Sequence, residues 1–138
     1  SAQPRFIYAH LYMPHRPYFF DKNGNLYKNG IQRNTQKEAY LEQLQYANKL
    51  LKESISEILE NATSPPVIIL QGDHGSRIVP ADKDEHFSIL YGVHLPDKDY
   101  RYFNDSISPV NTFRILSNHY LNTSFKLLEN KKNHFIEF

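Results

Sequence analysis

The chain has 138 residues, 16 Lys and Arg against 15 Asp and Glu, and a formal net charge of +1 at pH 7. This is one domain's worth of chain with room for a sizeable core, and its interspersed charges predict no nucleic-acid partner and no binding to an anionic membrane surface. Because the sequence has no cysteine, disulfides, thiolate metal ligands and cysteine nucleophiles are excluded.

The first predicted element is a strand over residues 5–13, apolar on both faces. The loop after it places His15 and Arg16 between two prolines, which stiffen the backbone and exclude both helix and central strand. A rigid loop of this kind is suited to binding. The alternative is that the aromatic residues 18–20 fasten a surface loop to the core while His15 and Arg16 are solvated, and the residues alone favour neither interpretation.

A long helix and a second strand follow. Asn-Gly pairs at 23–24 and 29–30 predict turns, and the capping-box pattern at 35–38 opens a helix that ends near Asn61, with one apolar stripe to pack on a sheet. The apolar residues 67–70 then predict a strand buried on both faces, as in parallel sheets. The order strand, helix, strand predicts a right-handed βαβ unit with parallel strands.

The second strand runs into Gly72-Asp73-His74-Gly75. Since parallel strands end at the same edge of a sheet, we expect His15, Asp73 and His74 at one edge, where ligands of open α/β sheets collect. Asp and neutral His are good ligands for a divalent metal, and the glycines allow close approach. The alternative is a plain turn in which Asp73 caps a backbone amide and His74 is solvated. A short motif alone favours that alternative, but the convergence of the two strand ends favours a site.

The remaining predicted elements carry less chemistry. The polar loop after this turn contains Arg77, whose rigid donor fork suits phosphate or sulfate oxygens, although a solvated arginine is the default. Residues 87–95 predict a third strand. Ser108 is the predicted N-cap of a further helix, with Pro109 at its first position, and residues 134–138 predict a short edge strand.

Four stretches, in family order, resemble the C-terminal half of a sulfatase-like protein of the alkaline phosphatase superfamily. They are Met-Pro-His-Arg-Pro-Tyr at 13–18, Ile-Ile-Leu-Gln-Gly-Asp-His-Gly-Ser-Arg at 68–77, Phe-Ser-Ile-Leu-Tyr at 87–91 and Ser-Ile-Ser-Pro-Val-Asn-Thr-Phe at 106–113. The resemblance is strongest to the bacterial membrane-anchored branch of lipoteichoic acid synthases and phosphoethanolamine transferases. It implies a single domain over residues 1–138, the C-terminal part of a catalytic domain, with a partial α/β fold: a mostly parallel sheet flanked by helices.

The resemblance also implies roles for individual residues. Asp73 and His74 would ligate a divalent metal, manganese or zinc in the first place and magnesium or calcium otherwise. His15 would be catalytic and substrate-binding, contacting the phosphate or sulfate or the leaving group, and Arg77 would bind the same anion. The reaction would be hydrolysis or transfer of a phosphate or sulfate ester, lipid- or glycan-linked in the anchored branch, through a covalent intermediate on Thr, Ser or a modified Cys.

One departure from the family matters. In the family, the remaining metal ligand and the nucleophile lie in an N-terminal half that this sequence does not match. The two ligands found here, Asp73 and His74, are fewer than a catalytic metal site uses. We therefore expect an inactive fragment that binds metal weakly, derived from the extracytoplasmic domain of a bacterial membrane-anchored protein. The sheet edge exposed by such a truncation predicts self-association.

Two alternatives stay open. The chain is a non-catalytic module of the same fold that binds a glycan, a lipid headgroup or a protein partner through an edge formed by His15, Tyr18 and Phe19. Or it is a self-contained flavodoxin-like domain, which the lack of a glycine-rich phosphate loop after the first strand disfavours.

Overall fold

The computed structural model describes residues 5–27, 36–76, 78, 87–104 and 107–129. In chain order the elements are α1 (Gln36–Asn61), β1 (Ile68–Gln71), β2 (Tyr91–His94), a 3-10 helix (Pro109–Asn111) and α2 (Thr112–Tyr120). The chain divides into two compact units, Ser1–His94 and Leu95–Phe138. Neither α1 nor α2 is long and apolar enough to cross a membrane, and these are the α-helices of the described part.

The sheet is a two-stranded antiparallel ribbon. Ile68 of β1 lies opposite His94 of β2, and the N–H of Gly72 extends the pairing by donating to the carbonyl oxygen of Leu90 at 2.8 Å. Strands are thus present in both predicted stretches, but with other bounds: β1 is Ile68–Gln71 where 67–70 was predicted, and β2 covers only Tyr91–His94 of the predicted 87–95. Helices with a small sheet are compatible with a partial α/β fold. The predicted mostly parallel arrangement is not found among the described residues.

The predicted burial of residues 67–70 on both faces is wrong, since Val67 is 39% exposed and Ile68, Ile69 and Leu70 are only partly buried. A continuous apolar run marks a segment suited to burial, but it carries no information on what covers the strand or on the direction of its neighbour.

Residues 5–12 form neither helix nor strand. Their apolar side chains are exposed, with Phe6, Ile7 and Tyr8 each about three-quarters accessible, at 76%, 77% and 76%. A strand exists only where a second strand completes its ladder, and within the described ranges residues 5–12 pair with none. The predicted βαβ unit is therefore absent from that part of the chain. The apolar pattern marks a segment suited to burial and does not identify what buries it.

Helix α1 ends at Asn61, as predicted, and begins at Gln36. The rest of its predicted cap, at residue 35, lies outside the described residues. Its most buried residues are Ala39, Gln43 and Ala47. Spaced by four, these three residues share one face of the helix.

Residues 15–27 dock on this part of α1. The ring of Tyr18 meets that of Tyr40 edge-on at 6.2 Å, and the ring of Phe20 lies 5.3 Å from that of Tyr46. Of the two predicted Asn-Gly turns, the one at 29–30 lies outside the described residues. The other is confirmed at Gly24, which has φ +88°, and a Cβ built there would lie 2.5 Å from the Tyr46 ring. The turn needs glycine because the backbone is left-handed and because the tyrosine ring lies against it.

The second unit is built around α2. Ser108 is the N-cap of the 3-10 helix that leads into α2, with Pro109 at its first position, as predicted, although the Ser108 side chain makes no cap hydrogen bond. The amide of Asn111 exchanges two hydrogen bonds with the backbone of Leu128, both 2.8 Å long. Such paired bonds fasten the segment after α2 to the helix. The predicted edge strand at 134–138 lies outside the described residues.

Candidate metal site and histidine loop

The pair Asp73 and His74 lies at the surface directly after β1. The backbone N–H of His74 donates to Oδ1 of Asp73 at 3.0 Å, and the other carboxylate oxygen, Oδ2, lies 3.6 Å from Nε2 of His74. The Asp73 side chain is 88% exposed and that of His74 36% exposed. As in the plain-turn alternative, Asp73 caps a backbone N–H, but it uses only Oδ1 for this. Its other oxygen, Oδ2, faces the imidazole of His74.

The tautomer of His74 follows from its other contact. Nδ1 lies 2.7 Å from the carbonyl oxygen of Gly75, and a carbonyl only accepts, so Nδ1 carries the hydrogen and the neutral ring keeps its lone pair on Nε2. Metal-bound histidines usually donate their second N–H to a carbonyl or carboxylate in this way. The hydrogen bond to the Gly75 backbone therefore leaves the lone pair of Nε2 available to a metal.

The spacing of the two donor atoms suits one ion. Bonds of about 2.0–2.2 Å at a tetrahedral angle place two ligand atoms about 3.4 Å apart, close to the 3.6 Å between Asp73 Oδ2 and His74 Nε2. No group of three or more His, Cys, Asp or Glu suited to a metal occurs among the described residues. Asp73 and His74 thus fit a divalent metal as two of its ligands, with water, substrate oxygens or further residues completing the shell.

The predicted loop histidine is presented in a similar way. His15 Nδ1 lies 2.6 Å from the carbonyl oxygen of Arg16, its backbone N–H donates to the carbonyl of Tyr12 at 3.0 Å, and its ring centroid lies 4.8 Å from that of Tyr12. By the same argument Nδ1 carries the hydrogen and Nε2 is the available nitrogen. His15 is exposed, so a ligand can reach this atom.

The structure joins some of the predicted site residues and not others. Asp73 and His74 are brought together, whereas His15 contacts Tyr12, Arg16 and Gln43 and makes no hydrogen bond or ion pair with either metal-ligand candidate. The predicted convergence at one sheet edge depended on parallel strands, and these contacts do not test it. Arg77 lies outside the described residues.

Gln43 was missed by sequence reasoning, which assigned no chemistry to α1. Only 1% of this glutamine is exposed. Its Nε2 donates to the carbonyl oxygen of His15 at 2.9 Å, and its Oε1 accepts from the backbone N–H of Phe19 at 2.8 Å and of Phe20 at 3.3 Å. The sequence did contain a signal: Gln43 lies four residues from both Ala39 and Ala47, so that a polar side chain shares one helical face with two small apolar ones.

Tyr18 does not belong to a binding surface. It is 2% exposed, and burial raises the pKa of its phenol. The alternative in which His15, Tyr18 and Phe19 form a binding edge is corrected in this respect, since a buried ring cannot contact a ligand. Phe19, 50% exposed, and His15 remain at the surface.

The second unit holds a separate polar cluster. Asp97 accepts hydrogen bonds from Nε2 of His119 and from the hydroxyl of Tyr120, the latter at 3.0 Å. The bond from His119, above all, lowers the pKa of Asp97 to about 2. Partial burial and the Asp97 carboxylate raise the pKa of Tyr120 to about 12. These groups satisfy one another and fix the loop after β2 to the end of α2.

A comparison with protein families gives one match. The family model described as Sulfatase matches residues 1–124 of the 138. The matched range contains the loop of residues 14–20 that carries His15, here called the histidine loop. It also contains α1, β1, β2 and α2, with both metal-ligand candidates. Searches of curated proteins and of solved structures returned no match.

Proposed function

This chain belongs to the sulfatase family, and we propose that it supplies a divalent-metal and anion site to a sulfatase-like hydrolase or phosphoryl transferase acting on phosphate or sulfate esters. One observation carries the proposal: Oδ2 of Asp73 lies 3.6 Å from Nε2 of His74, at the end of β1. Members of this family typically use a divalent metal. A carboxylate with an imidazole suits zinc or manganese better than calcium, which prefers oxygen ligands alone.

Within this proposal Asp73 and His74 hold the ion. The carbonyl of Gly75 keeps the hydrogen on Nδ1 and so orients the His74 ring toward the Asp73 carboxylate. When bound, the ion would offset negative charge on the ester group and activate a nucleophile. The nucleophile and the further ligands are proposed to come from outside the described residues.

His15 is the proposed contact to the ester. With Nδ1 bonded to the carbonyl of Arg16, protonation at Nε2 gives an imidazolium that donates to a phosphate or sulfate oxygen, or to the leaving-group oxygen. Arg77, two residues beyond Gly75, is proposed as a second contact to the same anion. Its guanidinium would bind two oxygens at once.

The biological setting is part of the same proposal. The resemblance to the lipoteichoic acid synthase and phosphoethanolamine transferase branch supports a lipid- or glycan-linked substrate. It also supports an extracytoplasmic domain in a membrane-anchored protein. Self-association of this chain through exposed apolar residues such as Ile7, 77% accessible, is a further expectation.

Metal binding tests the site directly. Isothermal titration of manganese and zinc into the natural full-length protein should show binding that Asp73→Ala abolishes. Glu57→Ala should leave it unchanged, because Glu57 is an exposed carboxylate on α1, outside the site. Release of nitrophenol from aryl phosphate, phosphodiester and sulfate esters would then identify the ester class.

Two outcomes count against the proposal. Metal binding undiminished by Asp73→Ala would remove this carboxylate from the metal site. Binding of a glycan or lipid headgroup with neither metal uptake nor ester hydrolysis would favour the non-catalytic module.

A further inference from the structure

We propose that Gln43 is a positioning residue for His15: by clamping the backbone of the histidine loop it sets where the imidazole is presented. The inference rests on the proposed contact of His15 with the ester and adds a residue from another element to that site. Gln43 lies 28 residues further along the chain, on α1, and does not itself touch substrate.

One buried side chain holds both ends of the loop. The carbonyl of His15 accepts from Nε2 of Gln43 at 2.9 Å, and the N–H groups of Phe19 and Phe20 donate to Oε1 at 2.8 and 3.3 Å. Because a carbonyl only accepts and a backbone N–H only donates, the orientation of the amide is fixed. A single planar group thereby fixes the distance between the two ends of the loop.

The helix surface is shaped for this contact. Ala39 and Ala47, one turn before and one turn after Gln43, are each 1% exposed. Small side chains on either side of Gln43, on the same face of the helix, allow a backbone segment to lie close to α1 at this position. Since the amide is excluded from water, its hydrogen bonds are costly to break, and a variant that leaves the loop amides unpaired would displace the loop.

The clamp acts on the residue that carries the imidazole. The N–H of His15 is bonded to Tyr12, its Nδ1 to the carbonyl of Arg16 and its own carbonyl to Gln43. Of these three attachments, the first two lie within three residues of His15 and move with the loop. Gln43 is the attachment that ties His15 to the helix, and so it decides where Nε2 points.

Activity measurements separate positioning from mere stabilisation. Gln43→Met keeps a side chain of similar size and loses every hydrogen bond. Gln45→Met is the matched control, because Gln45 is exposed on the same helix. In the natural full-length protein we expect Gln43→Met to lower kcat/KM for an aryl ester by about 10- to 100-fold, as a displacement of about 1 Å does. The control should show no loss.

A double-mutant cycle with His15→Ala decides the mechanism. If Gln43 acts through His15, Gln43→Met causes no further loss of kcat/KM once His15→Ala is present. Losses that multiply in the double variant would overturn the inference and leave Gln43 a structural residue. Wild-type kcat/KM in His15→Ala alone would instead refute the proposed role of His15, so the two failures are distinguishable.

A second variant provides a readout that needs no turnover. Gln43→Leu has neither a donor for the His15 carbonyl nor an acceptor for the N–H groups of Phe19 and Phe20. In ¹⁵N NMR spectra of the natural full-length protein we expect the imidazole signals of His15 to shift in this variant while those of His74 stay constant. Unchanged His15 signals in a folded Gln43→Leu protein would refute the clamp.

Discussion

The two candidate histidines share a local device and differ in how they are anchored. In both rings Nδ1 is bonded to the carbonyl of the following residue, at 2.6 Å for His15 and 2.7 Å for His74. The backbone of His15 is also tied to α1 by Gln43, 28 residues away in sequence. Among the residues that the structure describes, the hydrogen bonds and the ion pair of His74 are with its neighbours Asp73 and Gly75.

Because of this difference, we expect substitutions far from the two histidines to affect their positions differently. A site made from neighbouring residues needs little tertiary structure, so the Asp73 and His74 pair should keep its geometry when distant packing is disturbed. The position of His15 depends on a buried contact with a helix, which distant substitutions can break. The Asp73 and His74 pair is therefore expected to respond to substitutions of these two residues. The position of His15 is expected to respond to changes in the docking of residues 15–27 on α1.

The largest expected effect separates the two histidines by metal affinity. His74→Ala removes a ligand and should weaken zinc or manganese binding by more than the roughly 10- to 100-fold typical of lost second-shell partners. His15→Ala should leave metal affinity unchanged. Calorimetric titration of both variants checks this, and equal losses would show that His15 is a ligand as well.

An intermediate effect is expected from undocking the loop. Gly24→Ala places a side chain at φ +88°, 2.5 Å from the Tyr46 ring, and should reduce the free energy of unfolding by about 1–2 kcal/mol for the left-handed backbone alone. Urea denaturation measures the loss. Gly92→Ala is the control, since its Cβ would lie 3.9 Å from Leu70. Metal affinity reduced by Gly24→Ala would contradict the independence of the Asp73 and His74 pair.

The smallest effect concerns acid stability near the histidine loop. The side-chain hydrogen bond from Asn25, followed by bonds from backbone N–H groups, lowers the pKa of Asp21 below 3.8. A carboxylate with a lowered folded-state pKa adds stability above its unfolded value, and this is lost as the pH falls through the folded value. Asn25→Ala should move the pKa of Asp21 part of the way back to 3.8. The variant should then lose less free energy of unfolding as the pH falls from 3.8 through the folded-state pKa of Asp21.

NMR titration of the carboxyl carbons checks this change. Asp97, in the other unit and held mainly by His119, should keep its pKa of about 2 in the same variant. An unchanged pKa for Asp21 would show that its backbone donors alone set the shift.

Much of the local structure was predictable. The periodicity of α1 located its end at Asn61, the Asn-Gly pair predicted the turn with a left-handed Gly24, and the apolar run before Gly72 predicted β1. Asp73 and His74 could be predicted as a ligand pair because adjacent residues after a strand lie close together without help from the rest of the fold, and their role in metal binding stays a prediction. The family match over residues 1–124 supports the same assignment of the chain.

By itself, the sequence determined α1, β1, the turn at Gly24 and the contacts between neighbouring residues, because helix periodicity, turn chemistry and neighbouring donor atoms act over a few residues. The tertiary structure decided the antiparallel pairing of β1 with β2, the burial of Tyr18 and the clamp from Gln43 to the histidine loop. Each of these depends on residues distant in the chain. Strand direction, burial and a long-range hydrogen bond have no short-range signature, since each is a property of two segments and not of one.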